Sequence, residues 1–248
     1  MSDSGSPEFE RELTQAKLRA LAEFAAGAGH EINNPVATIA GYAQQLLAKE
    51  TDPDRRQALL TIGGQAYRIR DMIGDLMYFA RPPQPRPESL DLTAACQEVI
   101  VRLAADAEAA ACTLTVESSG TVPIWADPAQ LRSVIAALCR NSIEATIDPQ
   151  TIVVRTTAAA DSNRLWAVLE VRDHGRGFSE LEREHAFDPF FSGRQAGRGL
   201  GFGLCKAWRI VTLHGGTIEI ESPAGGGAVV RVQWPGAAKA ESGKRKAE

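Results

Sequence analysis

Cysteine is scarce in this chain. Its 248 residues contain only four, at positions 96, 112, 139 and 205, scattered and without a C-x-x-C pair. That excludes a disulfide framework and points to reduced, mostly buried thiols in a cytoplasmic protein. No spacing of histidine and cysteine suits zinc. Charge of one sign is not in excess either: the formal net charge is -4, so no global basic field invites nucleic acid. No apolar run approaches the roughly 20 residues that span a bilayer, so no membrane segment is expected. Residues 1–6 are polar, which excludes the apolar core of a signal peptide there. Two nucleotide signatures are missing as well. No G-x-x-x-x-G-K-[ST] occurs, and no strand immediately precedes Gly197, which excludes a Rossmann fingerprint.

What is present is ordinary globular material, 44% hydrophobic and 23% charged, enough for one large domain or two modest ones. Residues 8 to about 49 carry apolar side chains at helical spacing, among them Leu13, Ala16, Phe24, Ile39, Tyr42 and Leu46. The run 51–54, Thr-Asp-Pro-Asp, reads as a turn, with Thr51 or Asp52 able to cap and Pro53 suited to a first helical turn. A second helix follows to about Phe79, so the two form an antiparallel hairpin. Such a hairpin has one apolar face too many and should pair with a second copy into a four-helix bundle, a homodimer. Four prolines in residues 81–87 then stop the helix and make a stiff linker. The expected organisation is a helical hairpin at 8–82, a linker at 83–88, a second domain at 89–236 and a disordered tail at 237–248.

The second domain alternates helix and strand signals. Helices are expected over about 93–110, 128–145 and 204–213, the middle one capped by Asp127 with Pro128 in its first turn. Strands are expected at 113–116, 122–125, 152–156 and 165–172, with a closing hairpin of 217–221 and 228–233. This mix predicts an α+β sandwich, one sheet with helices on one face.

Two constellations carry chemistry. The first is the string His30-Glu31-Ile32-Asn33-Asn34-Pro35 inside the first helix, which offers a nucleophile, a neighbouring carboxylate and an amide able to hold water. Asn34 is one turn beyond His30, so the two share a helix face. Pro35 removes a backbone hydrogen bond and is either a bendable point or tolerated strain. The second comprises Asn141 with Glu144 on an amphipathic helix, Asp173-His174-Gly175-Arg176-Gly177 after a strand, and the glycine run 197–203 opening a helix. Glycines let backbone approach phosphates, and free N–H groups at a helix start bind anions. An asparagine carbonyl suits Mg²⁺, and a carboxylate in a tight turn can accept a hydrogen bond from an adenine amino group.

The order His30 to Pro35, Asn141, Asp173-x-Gly175-x-Gly177, Phe187-Asp188-Pro189-Phe190-Phe191 and Gly199-Leu200-Gly201-x-Gly203 resembles the H, N, G1, F and G2 boxes of bacterial two-component sensor histidine kinases, with an H box of the nitrogen-regulation type. The resemblance covers about residues 9–235 and implies a dimerising phosphotransfer hairpin followed by a Bergerat-type ATP-binding domain. It implies that His30 takes the γ-phosphoryl group of ATP, with Glu31 accepting a proton or orienting the ring. Asn141 would hold Mg²⁺, with Glu144 a water-mediated partner or base-assisting group. Asp173 would read adenine, and Gly175 and Gly177 would admit base and sugar. Gly199, Leu200, Gly201 and Gly203 would cradle phosphates, with Arg194 and Arg198 as charge partners. Phe190 and Phe191 would anchor the segment between the two boxes by packing as core residues do. The phosphoryl group would pass to an aspartate of a response-regulator receiver domain, and Asn34 would orient water to dephosphorylate that regulator. Three positions depart from the family pattern. Ala137 stands where a second asparagine is usual, His174 where Asn or Asp is usual, and Arg194 near the place of a lysine. The other three histidines, at 174, 185 and 214, read as structural. Two alternatives share the nucleotide site: a clamp-type Bergerat ATPase, and a phosphatase-dominant nucleotide-sensing module without net autokinase activity.

Overall fold

The computed structural model describes residues 7–160, 165–191, 201–223 and 225–236; between 7 and 30, side chains are described only at 16, 20, 23, 27 and 29. The expected disordered tail at 237–248 lies outside the described residues. The chain divides into two compact units, residues 1–83 and 84–248.

The first unit is a pair of packed helices, α1 (Pro7–Leu47) and α2 (Pro53–Ala80). The turn between them is fixed chemically. Of the two candidate caps, Asp52 is the one used: its carboxylate accepts from the Arg55 N–H, with Pro53 in the first turn. Arg56 donates to the Leu47 and Glu50 carbonyl oxygens at 3.1 and 2.8 Å, a cation on the free acceptors where α1 ends. Val36, Ala40 and Ala66 form the seam, flanked by Ile32 and Tyr67. Small side chains there bring the helices close, and Gly63 lies beside Ala43. The same hairpin leaves Ile39, Tyr42, Leu46, Leu60, Ile62 and Ile69 exposed.

The second unit opens with β1 (Glu88–Asp91), α3 (Leu92–Ala109), β2 (Cys112–Ser118) and β3 (Pro123–Ala126). Next come α4 (Pro128–Ala145), β4 (Gln150–Ala160), β5 (Leu165–Asp173) and α5 (Glu180–Glu184), then α6 (Gly203–Leu213), β6 (Thr217–Glu221) and β7 (Ala228–Pro235). The main sheet has the order β2-β4-β5-β7-β6, with β2 and β4 parallel and the other pairs antiparallel. Helix α4 packs against α3, α6 and the sheet. Alternation along the strands buries Ile152, Val154, Leu169, Val171, Val230 and Val232.

The opposite face is polar, and one row of it is charged in register. Glu117, Arg155, Glu170, Arg231 and Glu219 occupy neighbouring strands of a single rung. Glu170 is central, with Arg231 at 2.9 Å, Arg155 at 3.4 Å and Arg172 at 3.5 Å. Burial alone would raise its carboxyl, but the three guanidinium groups hold it below the usual carboxylate range.

Two elements depart from the expected fold. The sandwich has a second, two-stranded sheet, β1 with β3, instead of one sheet only. Strand β1 starts within the expected linker, where Glu88 pairs with Ala126, because the chain leaving the prolines is already extended. The short helix α5 also went unexpected, although Ser179 and Glu182 form a complete capping box.

Candidate active site

In the first unit the H-box string lies within α1, which continues as helix through Pro35. The side chain of His30 lies outside the described residues. Glu31 and Asn34 are both exposed. Pro35 has no N–H to give the Glu31 carbonyl. Three residues on, the Thr38 hydroxyl donates to the Asn34 carbonyl oxygen at 3.0 Å, a back-bond that favours local bending.

In the second unit Asp173 ends β5 and is 3% exposed. Its carboxylate is held from three directions. Oδ1 accepts the N–H of Gly175 at 2.9 Å and that of Ala228 at 3.2 Å. Oδ2 accepts the Ser142 hydroxyl at 2.8 Å, and Ser142 is itself 1% exposed on α4. Asn141 and Glu144 flank Ser142 on the same helix, the first half-buried and the second exposed.

Gly175 has a steric reason: a Cβ there would overlap the carbonyl oxygen of Ala145 at the end of α4. Its own carbonyl accepts the Gly227 N–H at 3.0 Å, so the loop between β6 and β7 closes against the turn after β5. Gly177 lies buried in that turn, and the next residue's N–H, of Phe178, donates to Ser222 Oγ at 2.9 Å. The structure thus gathers Ser142, Asp173, Gly175 and Gly227 at one end of the sheet.

Beyond the turn, Arg176 pairs with Glu182 at 2.7 Å, tying it to the first turn of α5. Burial pushes the Glu182 carboxyl up, but the Ser179 N–H and Arg176 outweigh it and hold the group below its ordinary value. His185 Nδ1 lies 2.7 Å from Asp188 Oδ2, and its ring is 5.3 Å from that of Phe191. Phe190 is 54% exposed, contrary to the core role expected of it. It adopts φ +66°, a conformation rare outside glycine and asparagine. One edge still meets the buried Phe202 ring at 4.7 Å. Behind it, a Cβ at Gly201 would sit 2.5 Å from the Phe191 carbonyl oxygen, so only glycine allows this approach. Helix α6 begins at Gly203, which is exposed, and among the described residues its N-cap residue Phe202 makes no side-chain cap hydrogen bond. Free N–H groups at such an end are suited to an anion. Arg194, Arg198, Gly199 and Leu200 lie outside the described residues.

The remaining histidines behave structurally where they are described. His214 closes α6, with its Nδ1 2.9 Å from the Ile210 carbonyl oxygen, and its Nε2 accepts the Asp127 N–H at 3.2 Å. All four cysteines are buried thiols. Burial pushes the Cys139 thiol up to about 12, and that of Cys96 further still, with Cys139 and Asp91 adding to it.

The sequence reading overlooked Ser142, Gly227 and Ala228 as parts of this site. Ser142 was detectable in principle: it follows Asn141 on the face of α4 turned toward the sheet. Gly227 and Ala228 follow β6 in a loop whose return to Asp173 only the tertiary fold sets.

A buried aspartate in a glycine turn, an asparagine-bearing helix and an uncapped helix start, carried on one mixed sheet, define an ATPase domain of the Bergerat class. Residues 126–238 match the family described as Histidine kinase-, DNA gyrase B-, and HSP90-like ATPase, and residues 20–85 match the His Kinase A (phospho-acceptor) domain. The chain belongs to the two-component sensor histidine kinases, of which it carries the catalytic core. The sensor histidine kinase ZraS of Klebsiella oxytoca is 31% identical over 228 residues, covering 91% of this chain and 48% of ZraS. The chain therefore spans about half the length of this relative. Full-length ShkA, solved in complex with AMPPNP, superposes with a TM-score of 0.72 at 19% identity, over 87% of this chain and 46% of that one. Histidine kinase ThkA, solved in complex with the response regulator TrrA, gives 0.65 at 22% identity, over 95% of this chain and 68% of that one. These likenesses show the shared fold. Among the described residues no helix is long and apolar enough to cross a membrane.

Proposed function

We propose that the chain autophosphorylates on His30 with ATP and passes the phosphoryl group to an aspartate of a response-regulator receiver domain. The observation that carries this reading is the threefold-held Asp173 carboxylate beside glycine turns, in a chain whose other unit places His30 and Glu31 on one helix. The AMPPNP bound by ShkA and the regulator bound by ThkA support the choice of nucleotide and partner.

In this reading Asp173 accepts the adenine amino group, while Gly175 and Gly177 leave room for base and sugar. Gly199, Leu200, Gly201 and Gly203 line the phosphates, with Arg194 and Arg198 as counter-charges and Phe190 bracing the adjoining turn. The donor set fits Mg²⁺, which takes one or two protein oxygens beside phosphate and water. Asn141 offers a half-buried side-chain carbonyl and Glu144 an exposed carboxylate one turn on, whereas Ala137 offers none. Bound there, Mg²⁺ would neutralise phosphate charge.

A ring nitrogen of His30 attacks the γ-phosphorus, the bond to the ADP oxygen breaks, and Glu31 accepts the imidazole proton or orients the ring. A receiver aspartate then takes the phosphoryl group. Asn34, exposed on the His30 face, orients water for the reverse task of dephosphorylating the regulator. The exposed Tyr42, Leu46 and Leu60 support a homodimer through a four-helix bundle. The buried thiols fit a reducing, cytoplasmic setting.

The test is incubation with γ-labelled Mg-ATP. Wild-type protein is expected to gain an acid-labile, base-stable phosphate that His30→Gln lacks. Equal labelling of His30→Gln, or steady ATP turnover without a phosphoenzyme, overturns the reading.

A further inference from the structure

We propose that Ser142 is a positioning residue that sets the preference of this site for a 6-amino purine over a 6-oxo purine. The inference rests on the reading of Asp173 as the adenine acceptor and adds a residue that this reading does not contain.

A carboxylate has acceptors only, about two lone-pair positions on each oxygen. On Asp173 both positions of Oδ1 are taken by the N–H groups of Gly175 and Ala228, and one position of Oδ2 by the Ser142 hydroxyl. One acceptor position remains, on Oδ2. Ser142 spends its single hydroxyl proton on Asp173, so what it still offers is also acceptor. The pair therefore favours a ligand that brings N–H at this point. The exocyclic amino group of adenine does so; the carbonyl of hypoxanthine or guanine would set oxygen against oxygen.

The two backbone donors set Oδ1 and with it the plane of the carboxylate. Ser142, held on α4 and 1% exposed, occupies one of the two acceptor positions on Oδ2 and so leaves a single direction open to a ligand. Without the hydroxyl, the second acceptor position of Oδ2 is open and water can enter the vacated space. Water both donates and accepts, so it bridges to an amino or a carbonyl group alike. Losing Ser142 should thus weaken adenine binding modestly and erode discrimination more.

The experiment measures affinity of the full chain for ATP and ITP by calorimetry, with thermal melts as a folding control. Ser142→Ala is expected to weaken ATP roughly three- to tenfold, the worth of one hydrogen bond, and to shrink the ATP-over-ITP ratio. Ser142→Thr restores the donor and should restore the ratio. Asp173→Asn separates the two claims. If it leaves ATP affinity intact, the adenine reading itself fails. If it weakens ATP while Ser142→Ala keeps the wild-type ratio, the role of Ser142 alone is overturned. A ratio lowered equally in Ser142→Ala and Ser142→Thr, with lowered melting temperatures in both, also overturns it, since the effect would then come from packing.

Discussion

Gly175 shows how much a single position constrains. Its missing Cβ lets the turn after β5 lie directly against the Ala145 carbonyl, and its N–H is one of three donors on Asp173. Gly175→Ala must displace either α4 or the turn, an overpacking strain of about 1–3 kcal/mol. The expected result is a nucleotide affinity weakened roughly ten- to hundredfold, measured by calorimetry. Dimerisation through the hairpin should be untouched, since no residue of that unit is altered. Residue types in order singled out Asp173, Gly175 and Asn141 as candidates in the sequence, and the first two meet in the fold. Ser142 and Gly227 were not, because their roles depend on which strand ends meet.

Among the elements, α4 matters most to the proposed site, since it carries Ser142 and the candidates Asn141 and Glu144. Its start is capped by Asp127, which accepts from the Ala129 and Gln130 N–H groups at 2.9 and 3.0 Å and from Arg86 at 2.9 Å. Burial opposes the charge on Asp127, but the N–H groups of Arg86, Gln130 and Ala129, with His214 nearby, hold the carboxyl below its ordinary value. A depressed folded-state value means that the stabilisation is complete above the unfolded value of about 3.9. It is lost as pH falls through the lower folded value. Asp127→Ala is expected to cost about 0.5–2 kcal/mol at neutral pH and progressively less as pH falls below that unfolded value, as read by urea unfolding at neutral and at acid pH. An equal cost at both would refute the cap.

The long helices were legible because their apolar period persists for many turns, and α4 because Asp127-Pro128 marks its start. Strand β1 is four residues long, Glu-Ser-Leu-Asp, with no alternation to detect; its pairing with β3 creates it. Helix α5 is five residues long, too short for periodicity, so only its capping pair announced it. Neither the exposure of Phe190 nor its φ of +66° is disclosed by a run of aromatic residues.

For the whole molecule, the proposed dimer depends on the exposed apolar residues of the hairpin. Leu46 is 58% and Leu60 53% exposed in one protomer. Leu46→Glu with Leu60→Glu is expected to shift the protein from dimer to monomer in sedimentation, while nucleotide binding by the second unit persists. A double variant that still sediments as the wild type would place the dimer contact elsewhere. The measurement closest to the central claim is mass spectrometry of the protein kept at neutral to basic pH after Mg-ATP. The account predicts one added phosphoryl group mapping to the peptide that contains His30, and none in Asn141→Asp. A phosphoryl group on any other residue, or an unmodified chain that nevertheless consumes ATP, would contradict it.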